Sequence, residues 1–170
     1  MKTILLVICV YLAAGTAFPQ KGDVPRFEDF PVPRKFAGKP APVNLNSHPK
    51  ARKYRTMLRA AAKEGANFAG HYIVTYWGCG SNCRQIAFID ASNGNVYFSP
   101  ELPSLGVGFD FGENEEDPLQ FKLESKLLIA EGLRFFHEDE HPEIGKFYFK
   151  WENNRLKLIY KVEKRWIRAN

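Results

Sequence analysis

Two closely spaced cysteines are the residues of this chain best suited to covalent chemistry. Cys79 and Cys83 have three residues between them, whereas the third cysteine, Cys9, lies near the amino terminus. A close pair in an oxidising compartment favours a disulfide. Thiolate metal ligands and a redox or nucleophilic pair are the alternatives, but redox pairs usually enclose two residues at a helix start. We therefore predict a structural disulfide.

His71 lies eight residues before Cys79 and is the other candidate for catalysis. In an enzyme, either a hydrolase or a thiol-dependent one, it would act as a base for a site that includes Cys79 or Asp90. The simpler interpretation is a histidine whose ring nitrogens bond to loop carbonyls at the start of a strand. Since no set of acid, base and nucleophile is evident, we assign no catalytic residue and no cofactor.

The segment His137-Glu138-Asp139-Glu140-His141 matches the letters of the zinc-protease motif, in which one helix face presents two histidines to the metal. Pro142 follows directly and glycines lie on both sides, so the long helix of such a site is not predicted. We interpret the segment as an acidic loop and assign no metal site. Binding of a divalent metal through His137 and His141 is the alternative.

Hydrophobic periodicity predicts the elements that position these residues. Apolar residues at helical spacing predict a helix over residues 50–64, begun by Ser47 and ended by Gly65. Alternation predicts strands near residues 72–77, 85–89, 96–98, 119–123, 126–130, 146–151 and 155–162, and a loop over 99–118. The expected fold class is α+β, mainly antiparallel β, with one N-terminal amphipathic helix packed on a sheet of about six or seven strands.

The amino terminus predicts export. Lys2 precedes an apolar run over residues 4–14, and small residues at 15 and 17 indicate a signal peptide over 1–17 that is cleaved after Ala17. That run is too short to span a bilayer, so no transmembrane segment is expected after its removal. We expect the mature protein in the periplasm or outside the cell.

The mature chain is predicted to have two parts. Residues 18–46 are proline-rich and form a flexible, extended lead-in, draped over the domain through Phe27, Phe30 and Phe36. Residues 47–170 form a single β-rich globular domain, because 45% apolar and 14% aromatic residues suffice for a core.

Charge is arranged in three blocks, with a net +8 over residues 18–63, −10 over 64–145 and +6 over 146–170. Export and the lack of a docking motif argue against nucleic acid as a partner. The basic helix is expected to meet the acidic middle of the chain or an anionic envelope surface. Salt should then weaken the docking of the helix and the lead-in more than it weakens the sheet.

The densest segment resembles a family of uncharacterised exported bacterial proteins. The shared pattern is N-F-A-G-H-Y, W-G-C-G-x-x-C, I-D and G-x-V-Y-F, which stands here at residues 67–72, 77–83, 89–90 and 94–98. The resemblance extends over about residues 47–160. It implies export, but it implies no activity, substrate or cofactor.

We expect a non-enzymatic exported module that binds a protein partner or an envelope component. Aromatic side chains beside a rigid loop make good binding anchors. The predicted binding surface therefore comprises His71, Tyr72, Trp77, Gly78, Gly80, Ser81 and Asn82.

Overall fold

The computed structural model describes residues 23–107, 117–135 and 143–164. Within these ranges the chain forms one eight-stranded antiparallel sheet, one α-helix and one 3-10 turn at Phe27–Asp29. The helix and strands are α1 (Arg55–Glu64), β1 (Tyr72–Gly80), β2 (Cys83–Asp90), β3 (Val96–Tyr97), β4 (Ser104–Gly106), β5 (Leu119–Phe121), β6 (Leu127–Phe135), β7 (Glu143–Glu152) and β8 (Arg155–Glu163). The sheet order is β1-β2-β4-β6-β7-β8, with β3 beside β2 and β5 beside β6. The mainly antiparallel architecture with one helix confirms the predicted class.

Two details of the prediction are wrong. The helix is not N-terminal, because the lead-in precedes it, and it begins at Arg55 rather than at residue 50. The Ser47 hydroxyl cannot cap a helix, since it donates to the Asn44 carbonyl and accepts the Val96 N–H at 2.8 Å. The sheet also has more strands than six or seven among the described residues. The unforeseen strand is β4, which lies inside the predicted loop and joins β2 to β6.

The sheet curls until strands that are distant in its order touch. Strands β2 and β7 are three positions apart, which would separate them by about 14 Å in a flat sheet. Phe88 of β2 nevertheless stacks on Trp151 of β7 with ring centroids 4.4 Å apart. The Tyr72 hydroxyl at the start of β1 also donates to Asn154 Oδ1 in the β7–β8 turn, at 2.5 Å. The curled sheet therefore encloses an inner apolar cluster that both ends of the sheet share.

Both faces of the first two strands are covered, which explains why consecutive residues at the start of β1 are all apolar. Val74 faces the inner cluster, whereas Ile73 packs with Leu58 of α1 on the opposite face. Helix α1 docks through Leu58, which is fully buried, and through the partly buried Ala61. The helix therefore lies directly over the strand that carries Trp77.

The proline-rich lead-in lies against the domain through backbone hydrogen bonds. The Val32 N–H donates to the Glu124 carbonyl at 3.0 Å, and the Phe36 N–H donates to the Gly70 carbonyl at 2.7 Å. Phe27 and Phe30 pack on an apolar cluster of β6 and β7, and Phe36 packs on the helix side of the sheet. Residues that cannot pair as inner strands thus close two faces of the sheet.

Candidate functional site

The two cysteines form the predicted disulfide at the exposed tip of the β1–β2 hairpin. Their Cα atoms are 5.2 Å apart. The strand register shifts between Gly78 and Gly80, and Asn82 adopts a left-handed φ of 52°. The Asn82 carbonyl also accepts the Val107 N–H at 2.8 Å. A cross-link and a hydrogen bond from the next segment therefore hold this exposed turn in one shape.

A groove lies between this tip and the helix. We call it the Trp77 groove and define it by Lys53, Tyr54, Met57, Trp77 and Cys79, with a volume of about 340 Å³. The Tyr54 and Trp77 rings are 4.7 Å apart and form its floor. Met57 is 49% exposed on its wall and is available to an apolar partner.

Trp77 lines this groove, but the hydrogen-bond donor of its ring is closed to solvent. Its indole Nε1 is buried and has no partner among the described residues. Buried polar groups are normally satisfied, and an unmade hydrogen bond costs about 1–3 kcal/mol. The groove thus combines apolar walls with one unsatisfied donor.

Of the residues that line the groove, only Lys53 carries a charge. Exposed basic side chains crowd the turn before α1 and the helix itself: Arg52, Lys53, Arg55, Arg59 and Lys63. Within the described part of the chain none of the five forms an ion pair. Arg52 donates instead to the neutral Asn46 Oδ1 at 2.6 Å.

The basic residues of the carboxyl-terminal hairpin are arranged differently. Lys150 pairs with Glu152 at 2.9 Å, Lys161 with Glu143 at 3.0 Å and Lys146 with Glu131 at 3.6 Å. The fold therefore neutralises much of one basic block and leaves the other for solvent or for a partner.

His71 lies at the opposite end of β1 from the disulfide. Its ring packs on Tyr72 with centroids 4.2 Å apart, and its Nε2 is 3.9 Å from Asp90 Oδ2. Burial raises the pKa of the Tyr72 phenol above its ordinary value, and the nearby Asp90 carboxylate acts in the same direction. Tyr72 is therefore a protonated donor at neutral pH.

The geometry gives no support to a catalytic pair with Cys79. Eight residues of extended chain place His71 and Cys79 about 26 Å apart, and the sulfur of Cys79 is bonded to Cys83. The two groups cannot act on one reacting atom.

The Asp90 carboxylate is hydrogen-bonded to the turn that follows it. It accepts hydrogen bonds from the Ser92 N–H at 2.8 Å, the Ser92 hydroxyl at 2.6 Å and the Asn93 side-chain amide at 2.9 Å. The carboxylate lies between the hydroxyl and the imidazole, whereas nucleophilic catalysis needs the imidazole in the middle. This arrangement suits Asp90 to holding the turn in shape and not to catalysis.

The residues of the predicted binding surface therefore lie in two separate places. His71 and Tyr72 lie at one end of β1, while the other end carries Trp77, Gly78, Gly80, Ser81 and Asn82. Sequence reasoning missed Tyr54 and Met57, which complete the groove. An apolar methionine on an otherwise charged helix face was the available signal.

His137 and His141 lie outside the described residues. Among the residues that are described, no cluster of three or more metal-binding side chains occurs. Over the same ranges, no helix has the length and apolar character needed to cross a membrane. No protein-family model, curated protein or solved structure matches the chain. The resemblance to exported bacterial proteins stays a prediction.

Proposed function

We propose that this protein is a non-enzymatic, exported binding module that captures an acidic, partly apolar segment of a partner protein in the Trp77 groove. The observation that carries the proposal is the buried indole N–H of Trp77, which has no acceptor among the described residues and belongs to a groove lined by Tyr54, Met57 and the basic Lys53. The disulfide supports export, since such bonds persist in oxidising compartments.

The shape of the groove favours an extended peptide. Its walls are a helix turn and the end of a strand, and its floor is aromatic. An apolar side chain of the partner would fill the space between Met57 and Trp77, and a backbone carbonyl would accept the indole N–H once the exposed Met57 side chain moves aside. Buried aromatic anchors of this kind dominate the energetics of protein interfaces.

The charge of Lys53 and of the neighbouring helix favours acidic residues on either side of that apolar side chain. Lys53 lines the groove, and the other four exposed basic side chains of the turn and of α1, which also have no ion pair among the described residues, add to the positive field on this side of the domain. Such a field speeds association with acidic partners and selects against basic ones.

Fluorescently labelled peptides test the proposal with the oxidised mature chain. In the first peptide, glutamates flank a Leu-Phe pair. Matched peptides replace that pair with Ser-Ser or the glutamates with lysines. Anisotropy should report saturable binding of the first peptide alone, and added salt should weaken it. Met57→Ala should weaken binding about tenfold, a change that cannot unfold the protein because Met57 is 49% exposed.

Ile159→Ala is the matched control, because Ile159 is an exposed apolar residue on the distant strand β8. It should bind like the wild type. Absence of saturable binding, or equal losses in the two variants, would overturn the proposal. Binding of anionic phospholipid vesicles that Met57→Ala leaves unchanged, without peptide binding, would replace it with a membrane-surface role.

A further inference from the structure

A second cavity lies where the two ends of the curled sheet meet. We call it the seam cleft and define it by His71, Tyr72, Lys126, Lys150 and Asn154, with a volume of about 370 Å³. The β7–β8 turn forms one wall, and the residues before β1 form the other. It lies at the far end of β1 from the Trp77 groove and shares no lining residue with it.

Positive charge exceeds negative charge at this cleft. Lys150 Nζ lies 2.9 Å from Glu152 Oε1, and it is the only ion pair of either residue among the described residues. That hydrogen bond, with the fields of Lys157 and Lys126, holds the pKa of Glu152 below its ordinary value. The ammonium groups of Lys126 and Lys150 thus line the cleft with one carboxylate, that of Glu152, and Lys157 lies close by.

The strand register makes this arrangement costly without an anion. Lys150 and Lys157 are directly opposite each other on β7 and β8. Like charges at facing positions destabilise a sheet. Lys126, from the segment before β6, has no ion pair in the described ranges and adds to the repulsion. A bound anion would relieve it.

Neutral donors complete the cleft. Asn154 Oδ1 accepts the Tyr72 hydroxyl, which directs the two hydrogens of the Asn154 amide away from Tyr72. No described residue accepts them. The His71 side chain is 42% exposed at the same opening and can offer a ring N–H. Ammonium and amide donors around one opening suit an oxyanion with several acceptor oxygens.

We infer that the seam cleft binds a small phosphate-bearing anion, held by Lys126, Lys150 and the Asn154 amide. The volume exceeds that of one phosphate group, so it has room for the organic part of a small phosphate monoester. This site does not depend on the Trp77 groove and would stand if peptide binding failed.

Titration of the mature chain with inorganic phosphate and with glycerol phosphate, followed by NMR, tests the inference. Both should shift the signals of residues 71, 126, 150 and 154 saturably at constant ionic strength. Lys126→Gln should weaken binding about tenfold, and Asn154→Asp should abolish it. Asp can still accept the Tyr72 hydroxyl, so the second variant keeps the fold while it replaces the donor with a negative charge.

Lys122→Gln is the control, because Lys122 lies outside the cleft, over the Phe27 ring. It should bind like the wild type. The inference is overturned if no saturable shift occurs, if chloride gives the same shifts, or if Lys126→Gln and Lys122→Gln behave alike. If soluble phosphates shift nothing but vesicles with phosphate headgroups do shift the same signals, and Lys126→Gln removes that effect, the source of the phosphate is a lipid.

Discussion

The proposed binding site depends most on one atom of Trp77, its indole nitrogen. Its Nε1–H is buried and has no acceptor in the part of the chain that the structure describes, so the free protein carries the cost of an unmade hydrogen bond. A ligand that supplies an acceptor removes that cost and gains the bond. The same residue therefore contributes to binding more than to folding.

Trp77→Phe should separate these two contributions. The variant removes the unsatisfied donor but also some of the ring contact with Tyr54, so the free energy of unfolding should change by less than about 1 kcal/mol. Peptide affinity should fall about tenfold, because the bond to the partner is lost. Denaturant unfolding and peptide anisotropy measure the two quantities. A large loss of stability with unchanged affinity would make Trp77 a core residue only.

Glu143 predicts how stability depends on pH. Its partner Arg134 is 4% exposed and donates to its Oε2 at 2.7 Å. Burial alone would raise the pKa of Glu143, but hydrogen bonds from Lys161 and Arg134 outweigh it and hold the pKa below the ordinary 4.5. Since the folded-state pKa is the lower one, the carboxylate stabilises the fold above about pH 4.5 and loses this effect as pH falls through the folded pKa.

Glu143→Gln should therefore be less stable than the wild type at neutral pH and should lose less stability on acidification. Thermal unfolding between pH 7 and about pH 3 measures both curves. Curves that remain parallel over the whole range would show that the ion pair with Arg134 contributes nothing to acid sensitivity.

At the scale of elements, the disulfide shapes the hairpin tip more than it stabilises the chain. Closing so short a loop restricts the unfolded chain by only about 2 kcal/mol. The joint variant Cys79→Ser and Cys83→Ser should lose about that much stability, yet peptide affinity should fall about tenfold because one wall of the groove loosens. Chemical reduction of the wild type should reproduce both changes. Unchanged peptide affinity after reduction would show that the cross-linked turn does not contribute to the binding site.

The contact between the lead-in and the β2–β3 turn depends on Gly94. Its φ is 78°, and a Cβ there would lie 2.0 Å from the Pro42 carbonyl oxygen. The Gly94 carbonyl also accepts the Asn44 N–H at 2.8 Å. The turn and the lead-in therefore fit together only without a side chain at this position.

Gly94→Ala should destabilise the protein more than Gly65→Ala does. Gly65 has φ 90° and ψ 177°, a conformation that essentially only glycine adopts, but it has open space around it, so alanine there adds only backbone strain of about 1–3 kcal/mol. The Gly94 variant adds the overlap with Pro42 and should expose the Asn44 amide to hydrogen exchange. Equal losses in the two variants, with Asn44 still protected, would mean that the lead-in docks independently of this turn.

The long strands and the short strands β3 and β5 were predicted from the sequence, whereas β4 was not. Strands such as β8 keep an alternating pattern over nine residues, whereas three residues of β4 between Pro103 and the following loop show no period. The start of α1 was predicted too early, because the sequence does not reveal that the Ser47 hydroxyl bonds to Val96. In both cases, the formation of β4 and the start of α1, the structure depends on contacts between segments that are distant in the sequence.

The candidate site was predicted only in part, for a related reason. Trp77 and the cross-linked turn were identified from their residue types. Spacing along β1 does not show which helix packs above it, so Tyr54 and Met57 were missed. Lys126 and Lys150 meet only through the pairing of β6 with β7, which single-sequence patterns do not give.

For the whole molecule, the position of each charge matters more than the net +5. The carboxyl-terminal hairpin is largely paired within the fold, but the described residues give α1 no ion pair. The helix docks through Leu58 and other apolar side chains, which gives no support to the expectation that salt loosens the helix. The same expectation for the lead-in stays a prediction, and the ion pair of Lys35 with Glu124 at 3.0 Å favours it. Salt should also act on the capture of an acidic partner.

The indole N–H signal of Trp77 in a ¹⁵N-resolved NMR spectrum tests the central claim most directly. When the peptide with glutamates around Leu-Phe is added, this signal should shift saturably, because the orphan donor gains an acceptor. The indole signal of Trp151, which is buried in the inner cluster, should stay in place as an internal control. A Trp77 signal that does not move at saturating peptide would contradict the account.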